Sequence, residues 1–420
     1  MKILIRSARI IDPSSSFHRK SKDILIEDGI ISKIATEIEV DENVKVIEGK
    51  NLHVSSGWVD LRANFCEPGH EYKEDIKSGL MAAAYGGFTG VAISPSTHPP
   101  VDNRAAVEFL LSRKQDSPVD IFPIGTVSDK KEGKELAEMY DMHLGGAKAF
   151  SDDKQTISSN KLLYKALTYS QGFNALVMDF PMDYQWIDEG QVHEGLTSTN
   201  MGVKGIPDVA EAMMVQRDIA MLKYTGGRLH IGPISSNLSV KLIKKAKKDG
   251  LLISADVNHH SLFLTDDKLA DFDSSFKLMP PLRDEKNRLA LINALKDGTI
   301  DVICSDHQPE DEDEKKVEFT RSAFGAIGLE SVFSIALEAI DDIELVVKKL
   351  CGGPRKVLGL ERTFIEKGQK ANMTVFDPKH RWVYDRDSIH SKSLNSPYIG
   401  KQMKGKSVAV INGNQYFISD

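Results

Sequence analysis

The chain is poor in cysteine, in net charge of either sign and in long apolar runs. Its 420 residues include three cysteines, Cys66, Cys304 and Cys351, an odd number in no CxxC spacing. That spacing excludes a Cys-rich metal knuckle or disulfide framework and points to a reduced, cytoplasmic setting. A formal net charge of −7 argues against nucleic acid or an anionic membrane as the partner. No apolar run approaches the length of a membrane span. Residues 1–6 alternate like a strand and carry no signal-peptide core or cleavage site. No low-complexity tract or internal repeat stands out.

What is present is an α/β pattern between two strand-rich ends. The length suits a large barrel plus a smaller unit. Residues 24–31 form a hairpin signal, because Asp28-Gly29 tolerates the positive φ of a tight turn. Residues 373–376 and 407–411, followed by Asn412-Gly413, read as strands at the other end. Between the ends, short apolar runs at 59–61, 90–93, 120–124, 147–150, 175–178, 228–231, 251–255 and 300–304 read as strands. Helical patterns separate them, such as residues 208–223 behind Pro207, a favoured first-turn residue. Eight β/α units in this span predict a TIM (β/α)8 barrel. The expected division is 1–53 and 365–420 for a composite β-sandwich built from both termini, and 54–364 for the barrel. The acidic stretch at 310–314 reads as a solvated loop.

Functional groups of such a barrel sit at the C-terminal ends of its strands. Those positions hold Arg62 and Asn64, Ser96, Gly125-Thr126, Asp153, Asp179, Pro233, Asn258-His259, and Asp306-His307. The mouth is therefore polar and rich in carboxylates. His98, His193 and His230 read as ordinary loop or core histidines, and His259-His260 as structural. Cys66 reads as a small filler.

Residues 57–69, Gly-Trp-Val-Asp-Leu-Arg-Ala-Asn-Phe-Cys-Glu-Pro-Gly, resemble the first-strand signature of dihydroorotases, Asp-x-His-x-His-x-Arg-x-Pro-Gly. Further motifs follow in order. Residues 72–76 and 82–89 look like the second unit, and Ser94-Pro95-Ser96-Thr97-His98-Pro99 is similar to Met-Pro-Asn-Thr-x-Pro. Residues 146–153 fit the strand-four motif that ends in an aspartate. Met279-Pro280-Pro281-Leu282-Arg283 resembles Asn-Pro-Pro-Leu-Arg. Ser305-Asp306-His307-Gln308-Pro309 resembles Thr-Asp-His-Ala-Pro, and residues 395–398 resemble Asn-Ser-Pro-Phe. The resemblance spans essentially the whole chain and is specific for fold, less so for activity.

The resemblance implies a zinc enzyme that opens or closes the cyclic amide of dihydroorotate. A metal-bound water would attack and an aspartate would move the proton. Carried over residue by residue, the first-strand histidines fall on Arg62 and Asn64, the fifth-strand histidine on Asp179 and the sixth-strand histidine on Pro233. The strand-four carboxylate falls on Asp153 and the general base on Asp306; both are retained. Three substrate contacts fall on Cys66, Ser96 and Met279. Zinc is expected for the family, but its histidine ligands are replaced. Pro233 has no donor, and Arg62 brings a positive charge where an ion would lie.

The expected role is therefore a non-catalytic dihydroorotase homologue of pyrimidine biosynthesis. It would hold no cofactor, form a homodimer and serve as a structural partner of aspartate carbamoyltransferase. One alternative is an active cyclic-amide hydrolase with a rebuilt site, in which Asp306 acts as base and Arg62 polarises a carbonyl. Another is a binding protein that uses the old pocket. The guanidinium of Arg62 is expected to stand in for the metal and bond one or more of Asp153, Asp179 and Asp306. The rival to that arrangement is a hard-ion site of Asn64, Asp153, Asp179 and Asp306.

Overall fold

The computed structural model describes residues 1–419. Eight parallel strands form the central sheet, and in chain order they are Trp58–Ala63, Phe88–Ile93, Asp120–Gly125, Ala149–Phe150, Leu176–Asp179, Arg228–Ile231, Ile253–Asn258 and Val302–Cys304. Each pairs with the next in sequence. The first and last meet through a parallel bridge between Ala63 and His307, so the sheet closes on itself as a barrel. The fourth strand is shorter than its apolar run suggests: only Ala149 and Phe150 pair, while Ala147 and Lys148 lead in from the Gly146 cap of the preceding helix.

The barrel interior is apolar at one end. Val59, Leu61, Ile124, Ala149, Leu176, Met178, Val302 and Cys304 pack together there with Val357 and Leu358. The outer face of the strands packs against the helix layer through residues such as Val91, Val177, Leu229, Ile231, Ala255 and Val257. Period-two alternation does the sorting. On the seventh strand Ile253, Ala255 and Val257 join the outer core, which turns Ser254, Asp256 and Asn258 inward.

Both ends of the chain share a second sheet of eight strands, ordered Gln415–Ile418, Lys401–Asn412, Asn372–Tyr384, His53–Ser56, Lys2–Ile10, Ser21–Glu27 and Ile30–Ala35, with Lys45–Ile47 alongside Lys2–Ile10. Its core unites Ile3, Ile5, Ile24 and Ile26 with Met373, Val375 and Ile411. The hairpin turn falls at Asp28-Gly29, both with positive φ (48° and 77°). Among the described residues no helix is long and apolar enough to cross a membrane.

The acidic stretch is more structured than a solvated loop. Glu312–Lys315 is a short helix capped by Asp311. Lys73 Nζ holds Glu310 at 2.5 Å and Glu314 at 2.9 Å. Glu312, Asp313 and Glu314 remain exposed to solvent, and the two ion pairs of Lys73 tether this loop to the one after the first strand.

Candidate functional site

Arg62 lies on the first strand and is 4 % exposed. Its Nε donates to Asp256 Oδ2 at 2.6 Å. His230, on the sixth strand, places Nε2 at 3.3 Å from the same oxygen and Nδ1 at 2.8 Å from Ser254 Oγ. Burial would raise the Asp256 carboxyl, but Arg62 and His230 outweigh it and hold it down at about 2. Arg62 Nη2 and Asp256 Oδ1 have no hydrogen-bond partner within the chain. The expectation that Arg62 would bond Asp153, Asp179 or Asp306 is therefore wrong. Asp256 takes the guanidinium because strand alternation points it across the barrel from Arg62.

Glycine at position 232 makes this approach possible. A Cβ there would lie 1.8 Å from Asp256 Oδ1, and its φ is 157°. The cis peptide between Gly232 and Pro233 closes that turn. Pro233, where the sequence resemblance expects a ligand, offers no side-chain donor.

The three aspartates do not converge. Asp179 follows Met178, which packs in the barrel interior, so its side chain falls on the opposite face. There its Oδ2 accepts from Arg217 Nη2 at 2.9 Å and its Oδ1 from the Ile157 amide at 2.9 Å. Arg217 also binds Asp218 Oδ1 at 2.5 Å, so two buried carboxyls share one guanidinium, and burial raises both.

Asp306 is on the loop after the eighth strand, with φ 50°. Its Oδ1 accepts from Lys154 Nζ at 2.6 Å and its Oδ2 from Asn258 Nδ2 at 3.1 Å. The same ammonium donates to the Met279 carbonyl at 2.8 Å. The carboxylate that the sequence resemblance places as general base is thus bonded to a lysine.

Asp153 belongs to a third group. Its Oδ2 accepts from Ser94 Oγ at 2.7 Å and Ser96 Oγ at 2.6 Å. Lys131 Nζ donates to Ser96 Oγ at 2.6 Å. Burial would raise this carboxyl, yet Lys131, Lys154 and the two hydroxyls bring it below the usual carboxylate range. Cys66, Lys131, Asp153 and Asp306 all hold left-handed backbone (φ 50–60°) without being glycine. Strain of this kind concentrates where loop geometry is over-determined.

The remaining predicted positions serve the loops. Asn64 Oδ1 accepts from the Cys66 amide at 2.9 Å. Burial pushes the Cys66 thiol up to about 12, so it is a buried filler. Met279 packs beside Phe180, Met182 and Ile187. His259 Nε2 meets Ser331 Oγ at 2.9 Å, and His260 stacks on Tyr398. His307 lies 3.3 Å from Glu74 and accepts the Gly328 amide at 3.1 Å, both buried structural contacts. Asp60, earlier on the first strand, accepts Ser305 N and Oγ at 2.7 Å each and is pushed by burial up to about 7.

This donor set does not fit a zinc ion. Arg62 and Lys154 put positive charge on Asp256 and Asp306, and Asp179 is turned away to Arg217 on the helix side. Among the described residues no three His, Cys, Asp or Glu side chains are grouped to hold a metal. Four residues of this site escape a reading of the family motifs: Asp256, Lys154, Lys131 and Arg217. Asp256 carried one signal, an acid two residues before Asn258 in a strand and hence on its face. Lys154 sits one residue past the strand-four motif. Lys131 and Arg217 come from a loop and a helix, and no local pattern marks them.

The backbone is that of a hydantoinase-type barrel. It superposes on the L-hydantoinase (dihydropyrimidinase) of Arthrobacter aurescens with a TM-score of 0.84 over 99 % of this chain and 96 % of that one, at 21 % identity. A D-hydantoinase of Thermus sp. gives 0.83, over 100 % and 95 %, at 21 % identity. The Dihydro-orotase-like family matches residues 52–239. The dihydroorotase of Acetivibrio thermocellus is 40 % identical over 98 % of both chains, and that of Geobacter metallireducens 36 % over 99 % of both. The fold and these matches define an amidohydrolase-type barrel, and the chain belongs to the dihydroorotase family.

Proposed function

We propose that this protein is a dihydroorotase-family member of pyrimidine biosynthesis that does not hydrolyse dihydroorotate. One observation carries this reading: the acidic groups at and behind the mouth are neutralised by cations of the chain itself. Arg62 holds Asp256, Lys154 holds Asp306, and Arg217 holds Asp179. A dihydroorotase needs a Lewis acid to lower the pKa of its attacking water and a free carboxylate to shuttle the proton. Here the shuttle position is bonded to an ammonium, and the strand-one ligand position carries a guanidinium that cannot deprotonate. An intact barrel with a closed site suits a structural role, and the family resemblance supports an aspartate carbamoyltransferase as the partner.

The test is elemental analysis of protein purified without chelators, together with dihydroorotate turnover on the same sample with and without added zinc or manganese. Expected are no stoichiometric metal and no turnover in either condition. One or two metals per chain with turnover would show that the ion pairs open, and the chain would be a hydrolase. The partner is tested separately, by co-expression and co-purification with the host's aspartate carbamoyltransferase.

A further inference from the structure

Where the barrel meets the terminal sheet, the chain encloses a cavity of about 230 Å3, and none of its lining residues belongs to the barrel mouth. Its walls come from the helices Ile76–Gly86 and Val332–Ile340, the strands Asn372–Tyr384 and Lys401–Asn412, and the turn between those strands. The buried residues Glu330 and Phe333 form its floor, and exposed Asp387 its rim. The lining is rich in flat rings. Tyr85 and His390 stack within 8° of parallel, and Trp382 joins them. Burial, with Lys406 nearby, lowers the His390 imidazole, so that ring is neutral at pH 7.

The polar groups beside these rings use their protons inside the fold. Ser334 Oγ and Trp382 Nε1 both donate to the Gly405 carbonyl, at 2.6 and 3.0 Å. Ser388 Oγ donates to the Asp385 carbonyl at 2.8 Å. Glu330 does the reverse. It is 9 % exposed, and its carboxyl accepts the backbone amides of His390, at 2.7 Å, and Ser391. Burial pushes it up to about 8, and the neighbouring Glu74 adds to the rise, so it keeps a proton at pH 7 that neither bond uses. The other titratable groups around it are Glu74 and Tyr384, both buried, and His390, Lys406 and Asp387 on the cavity lining.

We propose that this cavity binds an uncharged, planar, single-ring molecule through a carbonyl oxygen that accepts from the Glu330 carboxylic acid. The volume lies below the roughly 300 Å3 at which drug-sized sites begin, which limits the ligand to one ring. Aromatic walls suit a flat ring. A carboxylic acid kept neutral in an apolar site is a hydrogen-bond donor and selects an acceptor. A charged ligand would leave water for a floor of one neutral acid and a phenyl ring beside the Glu74 charge, which is costly. A cyclic amide has the required chemistry. The inference rests on no reading of the barrel mouth.

Isothermal titration of the full chain with 2-pyridone, a planar cyclic amide, tests it, with benzoate as the charged counterpart. Saturable binding of 2-pyridone is expected, and benzoate about tenfold weaker or more. The acid must keep its proton, so affinity is expected to hold below pH 7 and to be about thirtyfold weaker at pH 9.5, the loss a group of pKa about 8 predicts. Glu330→Gln keeps a donor and cannot ionise; it is expected to bind and to lose the pH dependence. Glu330→Leu and Trp382→Ala, each with wild-type circular dichroism, are expected not to bind. The Glu330→Gln profile decides the question even where Glu330→Leu fails to fold. No saturable binding up to about 10 mM, or binding that survives Glu330→Leu, overturns the site. Affinity that is equal at pH 7 and 9.5 overturns Glu330 as donor, and tighter binding of benzoate overturns the uncharged class.

Discussion

Arg62 and Asp256 are both buried at the heart of the barrel, and neither is tolerable alone. Removing one partner of a buried ion pair leaves an uncompensated charge, which costs about 3–5 kcal/mol. Arg62→Met is therefore expected to lower the unfolding free energy by about that amount in urea titration. Arg62→Met with Asp256→Leu is expected to recover most of it, because an apolar pair can replace a buried ionic one. If the single variant kept wild-type stability, the pair would hold no structural weight. The acid limb carries the same signature. Asp256 is held at about 2 in the folded state, against an ordinary value of 3.8. Its contribution is present above pH 4 and is lost as pH falls from 4 towards 2, a differential of about 2 kcal/mol by linkage. Arg62→Met should flatten that part of the stability curve. Gly232→Ala would drive a Cβ to within 1.8 Å of Asp256 Oδ1 and is expected to destabilise by about 3 kcal/mol or more. A Tm within 2 °C of wild type would contradict that, since about 1 kcal/mol moves Tm by 2–4 °C or less in a chain of this size.

At the scale of elements, the loop into the helix Val332–Ile340 carries a second buried acid. Glu330 accepts the His390 amide at 2.7 Å and is pushed by burial up to about 8 from 4.5, with Glu74 adding to the rise. In the unfolded chain this carboxyl ionises near 4.5, whereas the fold keeps its proton. Stability is therefore full below pH 4.5 and falls as pH rises towards 8. Glu330→Gln retains an acceptor for the amide and cannot ionise. Its Tm, measured from pH 4 to 9, should match the wild type at the acid end and exceed it at pH 8–9; parallel curves would show that Glu330 is already ionised in the fold. The elements themselves were readily seen in the sequence. The hairpin at Asp28-Gly29, the helix behind Pro207 and the alternation of strand and helix all follow from local rules of φ, capping and period. The fourth strand is shorter than the run 147–150 predicts, because Ala147 and Lys148 serve the exit from a helix cap.

On the scale of the whole molecule, the proposed replacement of a bound cation by Arg62, Lys154 and Arg217 has a global readout. Chelator treatment is then expected to leave Tm unchanged, as measured by calorimetry before and after extended dialysis against EDTA. A drop of several degrees would reveal a metal that binds the native state. Joining the chain ends in one sheet places the termini beside the barrel, through contacts such as Arg355 Nη2 with Asn372 Oδ1 at 2.8 Å.

The sequence alone determined the family, the barrel and the composite sheet, because those depend on local periodicity and on motifs contiguous in the chain. It could not show which charges pair at the barrel mouth. Asp153, Asp179 and Asp306 looked like one acidic cluster when taken as successive strand ends. The tertiary structure separates them: Met178 turns inward and thereby sends Asp179 to the helix layer, Lys154 reaches across to Asp306, and Asp256 meets Arg62 from 194 residues away. Which charge lies beside which is set by side-chain direction on a closed sheet, and that direction exists only once the barrel has formed.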